Sequence, residues 1–280
     1  RLLILWDFFP VHHFEIGKLK STLGARLLRR LESSSVRKFD AVGLMSKKNI
    51  DFFRQYHPRF EGMVFELPVW GKDRMNNHSV VSSEYYAKGE LHVVFGGQLE
   101  AGRGIDVLVR LARKCREDDE AIFIHVFGEG RLRDRVCDEA IVHERSHLIY
   151  HGKVSRERYL EFVGGVDAGL VITVPGVCIP TFPSKLIDYF VSSKPVLAFV
   201  ERSTDFGEIV ENVAKAGLEA DVSNFDQMYS AIKKMKNMKQ DPTSRSLEIM
   251  GKNGRRYFLK KMEVGVVVDN IIARLVSDGA

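Results

Sequence analysis

The 280-residue chain is poor in cysteine and tryptophan and has no long apolar run. Its three cysteines, Cys115, Cys137 and Cys178, are an odd count without metal-ligand spacing. That excludes a disulfide-stapled secreted scaffold and a zinc module, and predicts free thiols in a reducing compartment, the cytoplasm. The longest apolar runs, Leu2 to Trp6, Ala168 to Pro175 and Pro195 to Val200, fall well short of the roughly 20 residues that cross a bilayer, so no transmembrane helix is predicted. A secretory leader is missing as well. Residue 1 is Arg and the chain enters a strand-like run at once, without a basic region, an apolar core and a cleavage site. This start predicts a cut inside a larger protein. No internal repeat, low-complexity tract or Asp-x-Asp pair stands out.

What is present is ordinary globular composition, 45% hydrophobic, enough for two modest domains or one large one with real cores. The net charge of +5 suits an anionic partner. Its basic residues spread over segments such as Ala25 to Arg37 and Met228 to Lys239, which read first as solvated helix faces. They lack the aromatic-basic interleaving that single-stranded nucleic acid requires, so nucleic acid is not an expected partner. Peripheral contact with anionic lipid on the inner face of a membrane is a secondary expectation.

Short aliphatic runs alternate with amphipathic segments along the whole chain, the signature of parallel-sheet α/β architecture. Strands are predicted at Leu2–Trp6, Ala41–Met45, Met63–Phe65, Leu91–Gly96, Ala121–Phe127, Leu148–His151, Ala168–Val174, Pro195–Phe199 and, weakly, Gly217–Ala220. Helices are predicted at Ile16–Ser34, Lys47–Tyr56, Ile105–Asp118, Arg131–Glu144, Arg156–Val163, Pro183–Ser192, Phe206–Ala216 and Asn224–Lys239, with a last long amphipathic segment from about Ser244 to Ser277. Gly71 to Gly89 is polar and aperiodic and reads as a linker. The expected division is a partial first domain over 1–72, a linker over 73–89, a complete second domain over 90–262, and a terminal helix over 263–280.

Several strand ends carry glycine. Strand Leu91 to Phe95 runs into Gly96, Gly97, Gln98, Leu99, Glu100, Ala101, Gly102, Arg103 and Gly104 before a helix. Such a turn lets backbone N–H groups approach an anion at a helix N-terminus, where Arg103 could clamp a diphosphate. The pattern is neither Gly-x-Gly-x-x-Gly nor a P-loop, which argues against dehydrogenase and NTPase readings. Phe127, Gly128, Glu129 and Gly130, then His151, Gly152 and Lys153, repeat the arrangement at the next strand ends, the edge where open α/β sheets bind ligands. Finally Pro180, Thr181, Phe182, Pro183, Ser184, Lys185, Leu186, Ile187, Asp188 and Tyr189 open a helix. Asp188 falls one turn after Ser184 on the same face, where a carboxylate could accept ribose hydroxyls. Taken singly, Ser184 also reads as an N-cap, Lys185 as a solvated side chain and Asp188 as a surface charge.

Together these segments resemble the group 1 family of GT-B glycosyltransferases. Gly97 to Asp106 resembles its "GRL...KG-(I/V)-D", Phe127 to Gly130 its "VGxG", His151 to Ala168 its "xGxV...xAD", and Phe182 to Val196 its "FPxKxxEYxxxGxPV". Leu5 to Pro10 is similar to "HDFxP", Asp40 to Ser46 to "aDxvixxS", and Leu67 to Val69 to "xPNG". The resemblance implies two Rossmann-like domains around a cleft, with roughly the first hundred residues of the acceptor domain absent and the terminal helix packed back on that domain. It implies sugar transfer with retention from a nucleotide-diphosphate donor, UDP-linked ahead of GDP-linked, to a glycan, lipid-linked or small-molecule hydroxyl, with no cofactor and no essential metal.

Carried over residue by residue, the resemblance makes Arg103 the diphosphate ligand and Asp188 the ribose carboxylate. The turn Thr181, Phe182, Pro183, Ser184 and Lys185 becomes the contact to phosphate and donor sugar, and Gly97, Gln98, Gly128 and Lys153 complete the donor set. Arg103 and Lys185 would stabilise the leaving diphosphate. Asp7, His12 and His13 are acceptor-side candidates, although the residues themselves favour exposed loop histidines. Glu32, Trp70 and His125 are assigned to packing or surface. Three positions depart from the family. Gln98 replaces an Arg, Pro180 stands where the first of two paired Glu is expected, and Trp6 replaces a His. The departures keep two rivals open: a non-catalytic nucleotide-sugar-binding module, and another GT-B activity such as an epimerase or phosphorylase.

Overall fold

The computed structural model describes residues 1–17, 19–20, 23–74, 87, 89–141, 146–241 and 243–277. Most of the expected linker over 73–89 lies outside the described residues. The first part of the chain runs β1 (Leu2–Leu5), α1 (Val11–Glu15), α2 (Leu23–Val36), β2 (Ala41–Leu44), α3 (Lys47–Tyr56) and β3 (Met63–Glu66). Its strands form one parallel sheet in the order β1-β2-β3. The second part runs β4 (Leu91–Gly96), α4 (Ile105–Glu117), β5 (Ile122–Phe127), α5 (Arg133–Ile141), β6 (Leu148–Gly152), α6 (Arg156–Gly165), β7 (Ala168–Ile172), α7 (Lys185–Val191), β8 (Val196–Val200), α8 (Phe206–Glu208) and β9 (Gly217–Asp221). Then follow α9 (Phe225–Gln240), α10 (Ser246–Lys261) and α11 (Val264–Ser277). Its sheet is parallel throughout, in the order β6-β5-β4-β7-β8-β9.

The apolar character of β4, β7 and β8 follows from burial on both faces. Period-two alternation sends Leu91, Val93 and Phe95 into one core with Leu108 and Ile232, while Val94 joins Val171, Tyr189 and Phe258 on the other side. Tyr189 of α7 can lie flat on that side only because β7 has Gly169, where an added Cβ would sit 2.2 Å from the ring. Its hydroxyl donates to Val94 O at 3.0 Å, so the buried phenol is satisfied.

Two sets of contacts join the parts. The side chain of Asn49, buried at the start of α3, donates to Pro180 O at 3.0 Å, and Lys48 N donates to Asp205 at 3.0 Å. Glu15 at the end of α1 accepts from Cys178 N and Ile179 N at 2.8 and 3.1 Å. On the far side Gly71 bridges to Glu263, and Val267 of α11 packs with Ala41 and Phe65 of the first sheet and with Leu67 just after it.

Two predicted helices divide. The expected Ile16–Ser34 segment is α1, ending before Gly17 at φ +73°, and a separate α2. The long Ser244–Ser277 segment breaks at Met262 and Glu263, where the chain pairs with Gly71, giving α10 and α11. The predicted Phe206–Ala216 helix has a single α-turn followed by a π-helical stretch, Ile209–Val213. Residues 142–145 of the predicted Arg131–Glu144 helix lie outside the described residues.

Candidate functional site

The strand order reverses between β4 and β7, and ligands of open α/β sheets bind beside the carboxyl ends of strands at such a point. There the glycine turns stack on one another. Gly97 N donates to Phe127 O, Gly128 N to Gly152 O, and Leu99 N to Glu129 O, at 2.9–3.0 Å. Gly128 has φ +142°, and a Cβ there would fall 1.8 Å from Gly97 O. The glycines that recur along the sequence therefore permit lateral contact between successive strand ends. Tyr150 Oη donates to Gly128 O at 2.9 Å, and Arg131 Nε pairs with Glu100 at 2.8 Å, fixing the first two turns to each other.

These turns form one wall of a cleft of about 980 Å³ that also takes in Trp6, Trp70 and Gly71 of the first part. That is within the size range of small-molecule sites. Gly97, Gln98, Arg103, Gly128, Lys153, Ser184, Lys185 and Asp188 all line it. Positive charge dominates, because Lys72, Arg74 and Arg156 join Arg103, Lys153 and Lys185, against Glu129 and Asp188.

Lys185 lies against Gly97, with Nζ 3.6 Å from the Phe95 ring centroid. Burial, with the Arg103 charge adding to it, lowers its pKa to about 7. Neither Lys185 nor Arg103 has an ion-pair partner among the described residues. Two uncompensated cations at a glycine turn favour an anion between them. Ser184 precedes α7 in the N-cap position without a capping hydrogen bond from its side chain. Asp188 forms a bidentate pair with Arg156 of α6. Burial raises its pKa, and Arg156 works against that rise.

Other expected residues are placed differently. Phe182 is buried against Phe206, with ring centroids 5.1 Å apart, so its side chain serves the core. The Thr181 hydroxyl donates to Glu201 at 2.6 Å, fastening the turn to the end of β8. Thr181, Phe182 and Pro183 shape the turn from behind and do not line the cleft. His12 and His13 are half-buried on α1, contrary to the exposed-loop reading. Burial lowers the His12 pKa, with Asp7 opposing and His13 and Arg103 reinforcing the drop. Asp7 is exposed, and none of these three lines the cleft. Gly102 nonetheless abuts Ile16, so the glycine loop rests on the end of this segment.

Sequence reasoning missed Trp70, which meets Trp6 edge to face at 5.0 Å in the cleft. It also missed Arg156, whose signal was available: a basic residue just after Gly152 and Lys153 at the third glycine-bearing strand end. His125 belongs to neither packing alone nor surface. It is buried between His92 and His151, with nitrogen–nitrogen distances of 2.8 and 2.9 Å. Glu32 is mostly enclosed, 3.7 Å from His57.

No family model matches the chain. It is 24% identical over 217 residues to a Pseudomonas aeruginosa protein described as "Probable glycosyltransferase WbjE", covering 75% of this chain and 53% of that one. The chain thus spans about half the length of this curated relative. Among solved structures it is similar to sucrose-phosphate synthase from Thermosynechococcus elongatus, with a TM-score of 0.75 at 14% identity, covering 100% of this chain and 68% of that one. It is also similar to Anabaena HepE in complex with UDP and glucose, with a TM-score of 0.69 at 12% identity over 99% of this chain and 71% of that one. At such identities the structural likeness speaks to the fold, and with the parallel sheets and the cleft between them it shows that the chain has the GT-B fold of the glycosyltransferases.

Proposed function

We propose that the chain forms the donor site of a glycosyltransferase that moves a sugar from a nucleoside diphosphate to a hydroxyl, with UDP preferred to GDP. The observation that carries this is the pair Arg103 and Lys185, two cations without counter-ions among the described residues, at stacked glycine turns on the sheet's switch point. The HepE complex with UDP and glucose, and the description of WbjE, support the same class. Leaving of the nucleoside diphosphate builds negative charge, which Arg103, Lys185 and the N–H groups opening α4 would stabilise. Asp188 would take the ribose, sharing its carboxylate with Arg156 or releasing it. The acceptor, a glycan, lipid-linked sugar or small molecule, would enter beside Trp6 and Trp70, and a role for Asp7, His12 and His13 on the acceptor side rests on the sequence resemblance. Retention, independence from metal, cytoplasmic placement and peripheral membrane contact belong to the same proposal and rest on the sequence resemblance and the basic charge.

A second reading has its own support. Pro180 supplies no acid and Asp188 is already paired, which favours a module that binds a nucleotide sugar without turning it over. Incubation with UDP-linked sugars and a panel of hydroxyl acceptors separates the readings. Acceptor-dependent release of UDP, with a glycosylated product, is expected. Donor binding without release favours the module, and an isomerised donor without transfer favours an epimerase.

A further inference from the structure

Helix α6 begins at a fixed point. Gly152 ends β6 at φ +71°, and the Ser155 side chain caps the helix by accepting from Arg158 N at 3.3 Å. Arg156 thus holds the first helical position, and its side chain crosses to Asp188 in the first turn of α7. Nη1 donates to Oδ2 at 3.3 Å and Nη2 to Oδ1, and both residues line the cleft. The partners differ in exposure, 52% for the arginine side chain and 14% for the aspartate, so the carboxylate is the group that needs the pairing. Three other groups face it among the described residues: Tyr159 of α6, Tyr189 of its own helix and Arg74 of the segment after β3. The Tyr159 hydroxyl donates to Tyr189 Oη at 3.4 Å and that of Tyr189 to Val94 O at 3.0 Å, so neither phenol is spent on Asp188. Arg74 adds charge without a hydrogen bond.

An ionised carboxylate has about four lone-pair sites, and a bidentate guanidinium uses one on each oxygen. The second site on each oxygen remains for a ligand in the cleft, an arrangement that suits two hydroxyls on neighbouring carbons. Burial alone favours the protonated acid, which loses acceptor sites and gains a donor. Contact with Arg156 opposes that change and also stops the carboxyl from rotating.

We infer that Arg156 is a positioning residue for the donor: it holds the Asp188 carboxylate charged and in one orientation, so that both oxygens accept the vicinal hydroxyls of a ribose. This role rests on the donor-site reading above and adds a selectivity to it, for ribonucleotide donors over 2′-deoxyribonucleotide ones. Two other fates of the guanidinium are disfavoured by the same geometry. A phosphate that drew Arg156 away, or a ribose that displaced it, would leave the enclosed carboxylate without a contacting counter-charge, and breaking such a pair is costly.

Calorimetric titration of the chain with UDP and with 2′-deoxy-UDP, at pH 8 and at pH 6, tests it. The ratio of the two affinities cancels the titration of Lys185 and of the diphosphate, which act on both ligands alike. Wild type should prefer UDP by about tenfold or more at both pH values, the worth of a hydrogen bond to a charged group. In Arg156→Gln the preference should fall to within about threefold at pH 6 and recover in part at pH 8, as the carboxyl ionises more fully. Arg156→Lys keeps the charge and loses the fork, so its preference should be reduced and independent of pH. Asp188→Asn should show little preference at either pH. Arg156 is half exposed, so its variants should melt with the wild type. A preference in Arg156→Gln equal to that of wild type at both pH values would overturn the positioning role alone. So would a larger preference, the mark of competition with the ribose, or an equal loss of affinity for both ligands, the mark of a phosphate contact. Wild type that binds neither nucleotide would instead remove the donor-site reading, and full preference in Asp188→Asn would remove the ribose assignment, each taking this role with it.

Discussion

Lys185 concentrates the chemistry of the cleft. With its pKa lowered to about 7 by burial and by Arg103, it is about half charged near neutrality in the empty site. A diphosphate binds the charged form and raises that pKa, so nucleotide affinity should be greatest below about pH 7 and fall as the pH rises through 7 to 9. Lys185→Arg should flatten this dependence, because a guanidinium stays charged throughout. Lys185→Ala should weaken nucleotide binding by about 1.5–3 kcal/mol, the worth of a hydrogen bond to a charged group, read by isothermal titration at pH 6.5. Unaltered affinity would remove Lys185 from the site. Sequence alone brought Lys185, Arg103 and Asp188 to attention. It could not show that Arg156, 32 residues before Asp188, holds that carboxylate, since the pairing exists only once α6 and α7 pack.

The glycines make a harder test of local geometry. An alanine at 128 places Cβ 1.8 Å from a backbone oxygen at a φ of +142°. Gly128→Ala should therefore cost more than about 2 kcal/mol in urea unfolding, as a strained backbone position predicts. A loss below about 0.5 kcal/mol would mean that the turns of β4 and β5 do not stack as described.

At the scale of elements, β4, β5 and β6 share a row of imidazoles that no periodicity reveals. Glu90 binds His92 Nε2 at 3.0 Å, and the chain continues through His125 to His151. The Glu90 carboxylate is an acceptor, so each imidazole can donate through Nε2 while the Nδ1 of His92 and of His125 accepts from the next ring, and the row is hydrogen-bonded with all three rings neutral. Burial lowers all three pKa values, that of His125 to about 3. The unfolded chain takes up protons below about pH 6.5 where these groups do not, so their stabilisation is full above that pH and is lost as pH falls toward 3. His125 alone should account for about 1–2 kcal/mol of the loss by pH 5.5. Chemical unfolding at pH 7 and 5.5 measures it, and His125→Gln should reduce the difference. An equal difference in both proteins would contradict the account.

The same row shows what was legible at this scale. β2, β4, β7 and β8 were visible as aliphatic runs because burial on both faces leaves little other composition. The register that sets His92, His125 and His151 side by side was not visible, because it depends on which strands pair. Helix ends were read less well where tertiary contacts decide them. Gly17 separates α1 from α2, and pairing of Gly71 with Glu263 splits α10 from α11.

Across the whole molecule, the location of the cleft was legible and its second wall was not. Glycine at successive strand ends pointed to one edge of the second sheet. Trp6 and Trp70 reach that edge through long-range contacts, Asn49 with Pro180, Lys48 with Asp205 and Glu15 with Cys178. These contacts set the spacing between the two parts, and with it the room for an acceptor. Disrupting one by Asn49→Ala should leave nucleotide affinity within about threefold while costing about 1–2 kcal/mol of stability, the usual effect of stranding a buried acceptor. Parallel calorimetric and urea titrations would check this separation between the donor wall and the joint that supports it.

The central claim is that the cleft accepts a nucleoside diphosphate between Arg103 and Lys185. Thermal unfolding of the chain with UDP, GDP and ADP, alongside Arg103→Ala and Lys185→Ala, tests it most directly, because a ligand that binds only the folded state must stabilise it, by about 2.7 kcal/mol at a hundredfold excess over Kd. The account predicts a rise of a few degrees with UDP, a smaller one with GDP, and a much reduced rise in either variant. A folded chain whose melting temperature no nucleotide moves, or one that UDP stabilises equally in wild type and both variants, would contradict it.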